Sequence, residues 1–126
     1  MANILGDYAL DNGLNAIHNL ADKIYICSQD PLTFTDATST YALGNKSFGA
    51  GNAFGVPSAG SPNGRQVTSM PITDGAVTAS GNAAKWAVVD SANSRLLANG
   101  SLSVSQPVTN GNTFTLAAFN IRIPNQ

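Results

Sequence analysis

His18 is the only side chain of the 126 whose ordinary pKa lies near neutrality, so a hydroxyl or thiol nucleophile would have to use it as its base. Spacing puts it on a predicted helix, on the face opposite Leu14 and Ala21, where a solvent-facing or interface histidine is expected rather than a triad member. The single cysteine, Cys27, sits mid-strand beside Ile26, the setting of a buried, inert thiol. One cysteine makes no internal disulfide, and with one histidine it makes no zinc site. All seven acids are Asp, most of them in turn-like settings such as Asp11-Asn12-Gly13 and Asp74-Gly75. They offer no pair for glycoside chemistry. Asp90 with Asn93, and Asp11 with Asn12, are oxygen-rich turns, but neither has EF-hand spacing, and solvated turns account for both. Gly44-Asn45 and Gly49-Ala50-Gly51 lack the Lys-Ser/Thr and the preceding strand of a phosphate loop. The chain is therefore expected not to be an enzyme and to carry no cofactor or metal.

The large apolar side chains divide into two groups. Trp86 falls in the alternation Ala84, Trp86, Val88 and is expected at the centre of a core rather than as a ligand platform. Phe48, Phe54 and Val56 lie in a Gly-rich stretch, where they either fold back as a lid or protrude towards a neighbouring subunit. Ile4, Leu5 and Tyr8 near the N-terminus pose the same choice. These six are the candidate interface residues.

The elements that must position them form one domain, residues 1–126. Residues 1–22 form an N-terminal arm or short helix, with Leu10, Leu14, Ile17 and Ala21 at helical spacing over Asp7 to Asp22. Lys23 to Ser28 alternates Ile24 and Ile26 against Tyr25 and Cys27, as a strand buried on both faces does. Thr35 is positioned to cap a short helix running to Leu43 and ended by Gly44 in a left-handed conformation. Residues 45–64 read as a long Gly/Pro-rich loop. Five strands follow: Arg65 to Ile72, Gly75 to Ser80, Ala84 to Asp90, Arg95 to Leu102 and Thr113 to Ile123. Turns are expected at Asp74-Gly75, Gly81-Asn82, Ser91 to Ser94 and Asn110-Gly111-Asn112. In the last strand Phe114, Leu116 and Ala118 share one parity, and Phe119, Ile121 and Ile123 the other. A bulge, or a strand that crosses between sheets, must lie near Ala117-Ala118. The fold class predicted is mainly β: an antiparallel β-sandwich or jelly-roll-like barrel with one or two short helices in the N-terminal half.

Charged residues make up 10% of the chain, against roughly 25% in ordinary soluble proteins. Asn, Ser, Thr and Gly replace them, giving a polar surface that can be covered without desolvating ions. The net charge is −1, with Lys23, Lys46, Arg65, Lys85, Arg95 and Arg122 scattered singly, which argues against nucleic-acid binding. No membrane span is expected, since no apolar run approaches ~18 residues, and no signal peptide, since no basic region followed by an apolar core opens the sequence.

Three segments resemble small virion structural proteins of tailed bacteriophages: Ser61-Pro-Asn-Gly-Arg-Gln-Val, the stretch from Ile72 to Asp90, and the stretch from Leu96 to Leu116. Tyr8-Ala-Leu-Asp-Asn-Gly-Leu and Ile24-Tyr-Ile-Cys-Ser-Gln-Asp-Pro fit the same group, so the resemblance spans most of the chain. It implies a capsid decoration or cement protein, made in the host cytoplasm and sited on the capsid exterior. There it would bind the major capsid protein and itself, with a homotrimer favoured. Alternatives are a tail or head-fibre component and, in another class, a carbohydrate-binding module using Trp86 or Tyr41.

Overall fold

The computed structural model describes residues 7–60 and 64–123, without the side chains of residues 7–10 and 103. Helix α1 (Asp7–Leu20) is followed by β1 (Lys23–Cys27), a single π-helical turn (Asp36–Thr40) and β2 (Ala42–Ser47). The remaining strands are β3 (Ser58–Ala59), β4 (Arg65–Thr68), β5 (Ile72–Val77), β6 (Gly81–Asp90), β7 (Arg95–Val108), β8 (Thr113–Leu116) and β9 (Asn120–Ile123). They form a six-stranded sheet, ordered β7-β6-β1-β2-β5-β8, and a three-stranded sheet, β3-β4-β9, with antiparallel pairing throughout. The expected mainly β, antiparallel fold is the one observed.

The alternation of β1 divides its side chains between two cores. Ile24 and Ile26 enter the main core with Leu14 of α1, Phe54, Val67 of β4, Val88 of β6 and Phe114 of β8, so this core joins both sheets and the helix. Tyr25 and Cys27 enter a smaller cluster on the opposite face, with Ala87 and Val89 of β6 and Ala37 of the π turn. β1 and the end of β6 are thus covered on both sides. α1 lies on β4, and the bidentate pair of Arg65 with Asp11, 2.8 Å from Nε to Oδ1, ties the two together.

The phase flip in the last predicted strand is a crossing between sheets. β8 pairs with β5 in the large sheet, and β9 pairs with β4 in the small one. Ser69 holds the crossover twice: its N–H donates to the Phe119 carbonyl at 2.8 Å, and its hydroxyl accepts from the Phe119 N–H at 2.9 Å.

Several expectations are corrected. The helix to Leu43 shrinks to the π turn, closed where the Tyr41 N–H donates to the Asp36 carbonyl at 2.9 Å. Its start is held by the Thr33 hydroxyl, which accepts from the Asp36 N–H at 3.1 Å, while Thr35 makes no side-chain cap bond. Leu43 belongs to β2 and the core, and Gly44 terminates nothing. A Cβ on Gly44 would lie 2.5 Å from the Ala76 carbonyl, so glycine is there for close strand approach. Asp74-Gly75 is inside β5, not a turn, because the Phe114 ring occupies the space of a Gly75 side chain. Gly81-Asn82 likewise begins β6, paired with Val108 and Pro107. The loop expected at 45–64 contains the end of β2, an antiparallel bridge from Phe54 to Ser69, and β3.

Candidate functional site

The chemistry-bearing side chains are engaged separately. His18 is half-buried rather than opposite the packed face, and its Nδ1 lies 2.9 Å from the Phe54 carbonyl. A carbonyl only accepts, so Nδ1 carries the proton and the ring fastens α1 to the segment holding Phe54. Cys27 is fully buried, its thiol 3.6 Å from the Ala37 carbonyl to which it donates. Burial pushes the thiol up to about 12, far from a reactive thiolate. Next to it, Tyr25 is also shifted upward, first by burial, then by the charge of Asp22 and by Cys27. Asp22 receives both the N–H and the hydroxyl of Ser91. Asp90, 2% exposed, accepts from the Asn93 amide at 2.8 Å. Neither expected oxygen-rich turn is an open site: Asp90 is engaged by Asn93 within its turn, whereas Asp11-Asn12 is not a turn but lies inside α1, where Asp11 pairs with Arg65 of β4. Among the described residues, no three His, Cys, Asp or Glu side chains are grouped to hold a metal ion.

The candidate interface residues separate. Ile4 and Leu5 lie outside the described residues, and Tyr8 stands on α1 with its side chain outside the described set. Phe48 is half-buried against the main core. Phe54 is corrected: at 1% exposure, edge-on to the Phe119 ring 5.8 Å away, it is a core residue with no surface to offer another chain. Val56 alone of the loop trio projects, at 68% exposure. Sequence reasoning did not single out Leu32, Met70 and Val104, the other exposed large apolar side chains among the described residues. A Pro31-Leu32 step in a loop was the one local signal for Leu32. Val104 carried none, since the alternation Leu102, Val104 looks like that of any core strand.

Trp86 is half-buried and packs on the main core. Its ring lies 4.3 Å from that of Phe119 and across Gly100, its cross-strand partner, where a Cβ would come within 2.5 Å. Tyr41 packs, half-buried, against the smaller cluster. Trp86 also lines a cleft of about 730 Å³ between β7 and β8. Leu102 and Val104 contribute from β7, Phe114 and Thr115 from β8, and Phe119 from the crossover. Among the described residues, no ionisable side chain lines it.

β7 and β8 follow one another through the short turn Thr109–Asn112, yet they lie at opposite ends of the six-stranded sheet order. The cleft is lined by both edge strands of the six-stranded sheet, which do not pair with each other. Compared with known proteins, the chain matches no family model, and no curated protein or solved structure is significantly similar to it.

Proposed function

We propose that this chain is a bacteriophage capsid decoration or cement protein, which binds the outer surface of the major capsid protein shell, stabilises the head and catalyses nothing. The observation that carries the reading is a chain only 10% charged, in which Asn, Ser, Thr and Gly supply most of the polar groups; the virion role itself is taken from the resemblance set out in the sequence analysis. Val56 and Leu32, 68% and 81% exposed, add apolar anchors to that surface. A weak contact made by one copy becomes durable when repeated over a shell.

The reading is tested by adding the purified chain to heads that lack it and measuring occupancy together with head stability to heat. Saturation at a number of copies matching the capsomers, with a rise in the disruption temperature, is expected. Occupancy confined to a single vertex would replace it with the tail or head-fibre role. The carbohydrate-binding alternative loses weight at Trp86, whose ring is packed between Phe119 and Gly100 rather than presented as a free platform.

A further inference from the structure

The cleft between β7 and β8 is graded by depth. At its floor are Ile26, Ala83 and Phe114, buried members of the main core. Half-buried Trp86, Leu102 and Phe119 form its walls, and exposed Gln106, Thr113 and Thr115 stand at its mouth. Protein interiors leave few voids larger than a water molecule, so an opening of about 730 Å³ that reaches core residues is a departure from ordinary packing. Its volume lies within the roughly 300–1,000 Å³ of small-molecule sites, which combine apolar walls with a few polar groups. Two of the rings that bound it are seated over glycines of the neighbouring strand, Trp86 over Gly100 and Phe114 over Gly75, so a side chain at either glycine would displace part of the lining.

We propose that the cleft is a binding site for one uncharged amphiphile, whose alkyl chain lies along the apolar floor and whose hydroxyl stays among the amide and hydroxyl groups of the mouth. Each part of that ligand answers a part of the lining. Burying a charge without a partner is costly, and among the described residues no ionisable side chain lines the cleft. Lys85, which donates to Ser101 at the mouth at 2.8 Å, is paired with Asp30. A free sugar ring fits poorly, because the Trp86 ring is packed between Phe119 and Gly100 and presents no free face for stacking. An alkyl chain needs no such face, since any apolar wall serves it.

Trp86 is the only tryptophan of the chain, so its emission reports on the cleft it lines. Titrating 1-octanol into the protein should shift that emission to the blue, saturably and with one site per chain. Heptanol and hexanol should bind about threefold to fourfold more weakly for each methylene removed, as burial of that group requires. Octanoate and octylammonium must keep their charged ends hydrated, which draws methylenes out of the cleft, so each should bind roughly tenfold more weakly than octanol. Methyl glucoside, a sugar without a chain, should leave the emission unchanged. Val104→Asp places a carboxylate on the lining at an exposed position and should weaken octanol binding at least about tenfold, with the wild-type circular dichroism retained. Val56→Asp, exposed and outside the cleft, should bind as the wild type does. No saturable shift with octanol, an affinity indifferent to chain length or to Val104→Asp, charged chains bound as tightly as the alcohol, or a shift with methyl glucoside would each overturn the assignment. The titration uses the free chain, so its outcome is independent of whether shells are bound.

Discussion

Cys27 shows how a single side chain ties the fold to pH. Its thiol is enclosed between β1 and the π turn, and the folded state holds it protonated up to about pH 12 against an ordinary value of 9.0. Between those values the unfolded chain releases the proton and the folded one keeps it, so the stabilisation is complete below pH 9 and declines as pH rises. The slope expected is about 1.4 kcal/mol per pH unit. Urea unfolding from pH 8 to 10 should show the decline beginning near pH 9, and Cys27→Ala, although less stable, should be flat over that window. The upward shift of Tyr25 acts in the same direction only above its ordinary value of 10.0, so the two groups separate on the pH axis. Gly44 makes a second prediction at this scale. Its missing Cβ leaves room for the Ala76 carbonyl, a backbone atom that cannot withdraw without breaking the β2–β5 pairing. Gly44→Ala should therefore cost roughly 1–3 kcal/mol in thermal or urea unfolding, whereas Gly55→Ala, where an added Cβ would meet only the Thr68 carbonyl at an ordinary 3.9 Å, should cost far less.

At the scale of elements, the crossover from β8 to β9 is the joint that makes two sheets one body. Ser69, 3% exposed, is its clasp, and Ser69→Ala would leave the part-buried Phe119 N–H without its acceptor. A loss of about 1–3 kcal/mol is expected, with a changed Trp86 emission, because Phe119 stacks on that ring. Thr68→Ala, one residue away but exposed, should cost only a few tenths of a kcal/mol and leave the emission unchanged. This joint was legible in the sequence because a change of alternation is a local signal, as was the two-sided burial of β1. The reason for Gly75 was not local: the ring that fills its place comes from Phe114, some forty residues away, and a bare Asp-Gly pair looks like a turn until that ring is placed. Leu43 was misassigned for a similar reason, since capping residues before it suggested a helix while the partners that make it a strand, β1 and β5, are distant in sequence. Within the candidate surface, Val56 was legible as a large side chain in a Gly-rich stretch. Phe54 was not, because a bridge to Ser69 turns it inward.

For the molecule as a whole, the low charge makes a prediction about the proposed contact with a shell. A contact built on complementary charge weakens steeply as salt rises, because screening shortens the reach of each ion pair to about 10 Å at 0.1 M and less above it. The six basic and seven acidic residues here are dispersed, and three acidic ones are already occupied by Lys46–Asp74, Arg65–Asp11 and Lys85–Asp30 pairs within the chain. Little charge remains to bind a partner, whereas apolar burial and neutral hydrogen bonds are insensitive to screening and are strengthened by salts excluded from protein surfaces. Occupancy of heads should accordingly stay constant within about twofold from 0.05 to 0.5 M sodium chloride and rise in ammonium sulfate. Val56→Ser should lower that occupancy at every salt concentration without altering the melting temperature, since Val56 contributes surface and not core. Occupancy that collapses with added salt would place the contact on the scattered charges instead, and the neutral surface would then need another explanation.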